Sequence, residues 1–247
     1  MDNFIITIDT DWAPDEIISQ IADELIKAKV KATWFITNDS QEVQRLKNYP
    51  NLFELGLHPN FSEESTQGSD PREIMKSLLK IVPNAKFLRS HSLVQSSSLL
   101  KIIREEFNIL YDVSLLMPHT ADLRPHQVFF SKNKGLIRLP YFWEDDEELN
   151  RPTPILTIKH PYYHQPGLKI FNFHPIHIVL NSGSLDNYEK MKADLNYPKV
   201  SLRELNSYVF EGRGIGTFFQ ELVKEFSKGK LFNQTMSGLV VKLEKEK

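Results

Sequence analysis

The chain has 247 residues, 40 % of them hydrophobic and 25 % charged, with a net charge of −2. That length and apolar content suit one large domain or two small ones, and the mixed, near-neutral charge carries no electrostatic footprint for nucleic acid or an anionic membrane. Cysteine is absent, which excludes disulfides and thiolate metal sites and leaves His, Asp and Glu as the strong metal ligands.

The first predicted element is the strand Ile5-Ile6-Thr7-Ile8, an apolar, β-branched run that ends in Asp9 and Asp11. Residues i and i+2 of a strand face the same way, so the two acids are expected to leave one face roughly 6–7 Å apart at their Cα atoms. That strand end is where chemistry collects in a parallel α/β protein. The competing reading is that one acid caps the following helix and the other is solvated. The strand begins within a few residues of Met1, too early for a signal peptide, and no apolar run approaches the ~20 residues of a membrane span. The expectation is a cytoplasmic protein without an integral membrane segment.

Pro14 to Lys29 reads as an amphipathic helix, with Ile17, Ile18, Ile21, Leu25 and Ile26 on one face. Lys31 to Thr37 follows as a strand, which completes a βαβ unit and predicts a parallel sheet. Further strands are expected at Leu52–Leu57, Lys86–Leu88, Ile109–Tyr111, Val128–Phe130, Leu136–Leu139 and Leu168–Phe173. Helices are expected from Asp39 or Ser40 to Asn48, from Arg72 to Val82, from Ser96–Ser98 to Phe107 and from Ile215 to Lys228. His174 to Val200 reads as a long loop-rich excursion, and the tail from Thr235 suits strand or helix alike. No repeat, low-complexity tract or Gly/Ser linker interrupts the chain, so one domain over 1–247 is expected.

Polar residues gather where apolar runs end: Asp9 and Asp11, His58, Arg89 and His91, Asp112, and His174 with His177. One such residue is more often a cap or a satisfied core histidine. Together they would emerge at one end of a parallel sheet and converge on one mouth if that sheet closes as a barrel.

The constellation resembles the polysaccharide deacetylases, carbohydrate esterase family 4. Thr7-Ile8-Asp9-Thr10-Asp11 is similar to that family's T-x-D-x-D strand end, and Ala32-Thr33-Trp34-Phe35 to its A-T-F-F strand. Glu54-Leu55-Gly56-Leu57-His58 matches E-x-G-x-H, Arg89 matches an arginine after a strand, and His174 matches a late histidine. The forms H-P-N-F, R-S-H-S, P-Y-F-W-E-D-D and F-H-P-I-H resemble a subgroup associated with O-antigen and other surface-polysaccharide biosynthesis. The resemblance implies a distorted (β/α)7 barrel, mainly residues 4–180, completed by 181–247. It implies a metal-dependent N-deacetylase acting on an N-acetyl or N-formyl sugar, carried on a nucleotide or a lipid. Asp11 and His58 would be metal ligands, Asp9 the general base, His174 the general acid and Arg89 the group that orients Asp9. A divalent ion lowers the pKa of water to about 7, a carboxylate completes its activation, and an amine leaves only once protonated. Zn²⁺ is favoured, with Mn²⁺, Co²⁺ and Ni²⁺ compatible.

One departure stands out. The family's second metal histidine, four residues after His58, is here Ser62. His91 is the first candidate replacement, with Asn60 and His177 behind it, and a plain hydrogen-bonding role for His91 carries equal weight. Trp143, Tyr141 and Phe142 offer a sugar-stacking wall or simply core, and Asn181 and Tyr188 are placed at the rim by chain proximity. Glu144, Asp145 and Asp146 read as a solvated charge run. The rival functions are a sugar-binding barrel that has lost its metal, and a hydrolase of non-sugar amides.

Overall fold

The computed structural model describes residues 3–131 and 134–245. Nine strands form one sheet: β1 (Asn3–Asp9), β2 (Ala32–Ile36), β3 (Phe53–Leu57), β4 (Phe87–Leu88), β5 (Tyr111–Asp112), β6 (His126–Ser131), β7 (Lys134–Arg138), β8 (Trp143–Glu144) and β9 (Leu168–Phe173). Their order is β6-β7-β5-β4-β3-β2-β1-β9-β8, and every pairing is parallel except the β6–β7 hairpin. β1 lies between β2 and β9, and residues on both its faces are buried, which explains its unbroken apolar run.

The sheet curls, and a single stretch joins its two ends. β7 pairs with β5, and a few residues further on β8 pairs with β9. Between them the Tyr141 N–H donates to the Leu115 carbonyl at 2.9 Å and the Phe142 N–H to the Ile170 carbonyl at 3.0 Å. Counted with β7 and β8 as one bent stave, the parallel members number seven. This is the distorted (β/α)7 barrel type, with β6 as an antiparallel appendage.

Helices between the strands bury their apolar stripes on the outside of the sheet. Asp15–Ala28 buries Ile17, Ile18, Ile21, Ala22 and Leu25, and stops where Lys29 turns left-handed (φ 56°). Ser40, Asp70 and Ser96 accept backbone N–H groups at the starts of the next three helices, satisfying donors that the helix cannot. Gly56 in β3 has no room for a side chain: an added Cβ would meet the Phe35 ring at 2.8 Å. The expected loop-rich stretch contains two helices, Pro175–Val179 and Leu185–Asp194. The second buries only Met191 along its length, so its sequence carries little amphipathic signal. The tail forms a helix, Met236–Lys245, with the Met236 N–H donating to Thr33 Oγ1 and the Ser237 N–H to Glu54 Oε2. It covers the end of the barrel away from the strand C-termini. No helix among the described residues is long and apolar enough to cross a membrane.

Candidate active site

Asp9, the last residue of β1, is 2 % exposed and has both carboxylate oxygens held. Arg89 Nη1 donates to Oδ1 at 2.9 Å and Asn172 Nδ2 to Oδ2 at 2.8 Å. Arg89 follows β4, is fully buried, and lies between the rings of Phe35 and Tyr141, 4.6 and 4.4 Å from their centroids. It also donates to Thr7 Oγ1, to Asn172 Oδ1 and to the Val113 carbonyl. A buried charge needs such partners, and here they fix a carboxylate that lines the cavity together with Asp11, Glu144 and Asp146.

Asp11 reaches the site differently from expectation. β1 ends at Asp9, so the two acids do not share a strand face; Asp11 (φ 43°) and Trp12 (φ 56°) instead form a left-handed turn. Each such residue costs about 1–2 kcal/mol. The turn is held by the Trp12 N–H on Thr37 Oγ1 at 3.1 Å and the Ala13 N–H on the Thr10 carbonyl at 2.8 Å. It sets Asp11 Oδ1 3.0 Å from His58 Nε2 and 3.1 Å from His91 Nδ1. A second left-handed pair, Ser92 (φ 50°) and Leu93 (φ 55°), follows His91. Strained backbone thus flanks two of the three groups, as is common where geometry serves function.

Asp11, His58 and His91 each offer a donor atom, and these atoms lie within 4.8 Å of one another. His58 Nδ1–H donates to the Arg89 carbonyl at 2.7 Å, which turns the Nε2 lone pair toward Asp11. Burial pulls the His58 pKa down, but the charges of Asp9 and Asp11 outweigh it and raise the pKa. Burial likewise raises the Asp11 carboxyl, yet hydrogen bonds and charge from His58, with His91 and His174, hold it well below the usual range. Two imidazole nitrogens and one carboxylate oxygen at this spacing fit a divalent transition metal with bonds of about 2 Å. Ser62 is exposed, and the half-buried Asn60 uses its Oδ1 to accept the Ser62 N–H.

His174 stands on the opposite flank, after β9. Its backbone N–H donates to Asp145 Oδ2 at 2.7 Å and its Nδ1–H to Asp145 Oδ1 at 2.6 Å. Nε2 is therefore the free end, 3.5 Å from Asp11 Oδ2 and 3.9 Å from Glu144 Oε1. Burial opposes the imidazolium, but Asp145, Asp146 and Asp11 overcome this and hold its pKa well above the ordinary value. Glu144 accepts the Tyr141 hydroxyl at 2.6 Å, and burial raises its carboxyl pKa.

Several expected placements change. Trp143 does not face the mouth: it is 1 % exposed and packs against Phe171, Phe173 and Phe218. Tyr141 is buried beneath Arg89, and Asn181 spends its amide on the Phe210 and Gly212 carbonyls and the Thr217 N–H. None of the three presents a surface to a sugar. The acidic run is not uniformly solvated: Asp145 is fully buried on His174, while Glu144 and Asp146 are half-buried at the cavity. Asp112 is committed to Arg138 Nε at 2.7 Å and the Ser114 N–H at 3.2 Å. His177 bonds Asp146 and Ser182 and stands outside the donor group. Residue patterns passed over Asn172 and Thr7, although a polar residue inside the run Ile170-Phe171-Asn172-Phe173 was the available signal.

Two cavities meet at Asp11, His91, Asp146 and His174. One, of about 80 Å³, is lined by Asp9, His58, Ser90 and Glu144; the other, of about 210 Å³, by Trp12, Tyr188 and Tyr197.

Fold and site together define a barrel of the carbohydrate deacetylase type. The WbmS-like polysaccharide deacetylase family matches residues 6–192, and the chain belongs to it. A crystal structure of WbmS from Bordetella bronchiseptica, described as a candidate polysaccharide deacetylase involved in O-antigen biosynthesis, is 31 % identical with a TM-score of 0.77, covering 90 % of each chain. A family 4 carbohydrate esterase from Bacillus anthracis shares the fold at 13 % identity and a TM-score of 0.50, over 97 % of this chain and 83 % of that one. Among curated proteins there is no match.

Proposed function

We propose that the chain is a metal-dependent N-deacetylase, removing an acetyl or formyl group from a sugar used in surface-glycan synthesis of the O-antigen kind. The observation that carries this reading is one cavity flanked by the Asp11–His58–His91 donor group, the clamped carboxylate of Asp9 and the Asp145-backed imidazole of His174. A divalent cation held by Asp11, His58 and His91, with Zn²⁺ best suited to these donors, supplies Lewis-acid polarisation and acidifies water.

The chain's own residues do the rest. Asp9 accepts the proton of the attacking water, its carboxylate held and aimed by Arg89 and Asn172. His174, charged while idle, delivers the Nε2 proton to the leaving amine, and the Asp145 contact at Nδ1 keeps Nε2 as the donating end. The family relationship and the WbmS likeness support the sugar and the O-antigen setting; a nucleotide or lipid carrier is part of the proposal.

The test is release of acetate or formate, with appearance of free amine, from nucleotide-linked N-acyl sugars. It is run as purified, after chelation, and after reloading with Zn²⁺, beside elemental analysis. Turnover that chelation removes and Zn²⁺ restores is expected. A Zn²⁺-loaded protein inert toward these sugars but active on cyclic or small amides would transfer the site to the non-sugar hydrolase reading.

A further inference from the structure

The 210 Å³ cleft beside His174 is lined by Tyr188 and Tyr197, from the helix Leu185–Asp194 and the segment after it. Their rings stand nearly perpendicular, 80° apart with centroids 6.4 Å apart, and so form two walls of one cleft. Among the described residues neither phenol hydroxyl has a hydrogen-bond partner. Asp146 also lines the cleft, with its side chain 48 % exposed. One of its oxygens accepts His177 Nε2–H at 2.7 Å, which leaves further lone pairs toward the cleft.

His177 accounts for why these groups hold still. It is 1 % exposed, and its Nδ1 meets Ser182 Oγ at 2.9 Å while Nε2 holds Asp146. Its ring packs edge-on against Tyr188, 4.7 Å between centroids at 63°. Lys192 Nζ lies 5.0 Å from the centroid of the Tyr188 ring.

We propose that this cleft is the pyranose subsite, in which the Tyr188 and Tyr197 hydroxyls and the Asp146 carboxylate bind ring hydroxyls, with His177 as the positioning residue for Tyr188 and Asp146. The proposal rests on the deacetylase reading and names what that reading leaves open, the groups that choose the sugar. Burial, with the nearby charge of Asp146, pushes the Tyr188 phenol up to about 12, and burial raises Tyr197 as well. Both therefore stay neutral donors, and an ionised carboxylate accepts.

The test compares acetate release from the methyl glycosides of N-acetylglucosamine and N-acetylgalactosamine with release from 4-nitrophenyl acetate, which has no sugar ring. Zn²⁺-loaded wild type, Tyr188→Phe, Tyr197→Phe and the double variant are assayed. Each lost hydroxyl is expected to cut the ratio of sugar to aryl-ester kcat/KM about tenfold, mainly through KM. His177→Phe should raise KM for the glycosides more than it lowers kcat. Unchanged ratios in the double variant overturn the subsite, as does a wild type that cleaves the aryl ester but neither glycoside. Both outcomes leave the hydrolytic centre standing. A wild type inert toward ester and glycosides alike refutes the deacetylase reading itself.

Discussion

Replacing Asp145 by Asn tests the acid assignment most sharply, because it keeps the shape and removes one charge. Asp145 is fully buried and uses its two oxygens as acceptors, Oδ2 for the His174 backbone N–H and Oδ1 for the Nδ1–H. An amide has one oxygen. Whichever way Asn is turned, its NH₂ faces a donor, and the ring is pushed toward the tautomer with no hydrogen on Nδ1. Hydrogen bonds to a charged group are worth about 1.5–3 kcal/mol, and a factor of ten in rate is about 1.4 kcal/mol. Turnover near neutral pH should therefore fall about 10- to 100-fold. His174 acts protonated, so activity is present below its pKa and is lost as pH rises through it. Asp145 helps hold that pKa up against burial, so its loss must move the alkaline limb of the profile to lower pH. The assay is kcat against pH for acetate release. A limb that superimposes on wild type, whatever the overall rate, would refute the reasoning.

Asp9→Asn should retain the metal by elemental analysis and lose about 100- to 10,000-fold in kcat, the range for a removed general base; wild-type rates would sink the assignment. Asp11→Ala and His91→Ala should each lower metal content, and full occupancy in His91→Ala would return His91 to a hydrogen-bonding role. Arg89→Met leaves the Asp9 carboxylate buried beside apolar rings, and should cost about 3–5 kcal/mol in urea unfolding. An unchanged midpoint there would refute the reading that Arg89 compensates the buried Asp9 carboxylate. Trp143→Ala should cost about 3–5 kcal/mol of stability as a core cavity; a stable variant with raised KM would restore the sugar-wall reading.

How far the sequence went depended on where its signals were local. Asp9, His58, Arg89 and His174 were legible because each ends an apolar run, and parallel strands present such ends together. His91 was legible only as a neighbour of Arg89. Its selection over Asn60 depends on a left-handed turn at Asp11 that no periodicity announces. Asn172 was hidden inside a strand, and its meaning comes from β9 lying beside β1 across a separation of some 160 residues. Asp145 was misread because an acidic run after a tryptophan looks solvated, whereas two-residue β8 carries it inward. The helix Leu185–Asp194 was missed because its largely exposed surface leaves no apolar stripe to read.

The bent stave that closes the barrel has a consequence for how activity is acquired. Its second half carries Glu144 and is followed at once by Asp145, the partner of His174. The base side of the site is built from β1, β3 and β4, with Asn172 of β9 on Asp9. The two sides are joined at the seam itself, since Tyr141 stacks on Arg89, which clamps Asp9 and whose carbonyl holds His58. One short junction, Tyr141–Phe142, therefore sets both flanks of the cavity at once, and loosening it would disturb the clamp on Asp9 and the backing of His174 together.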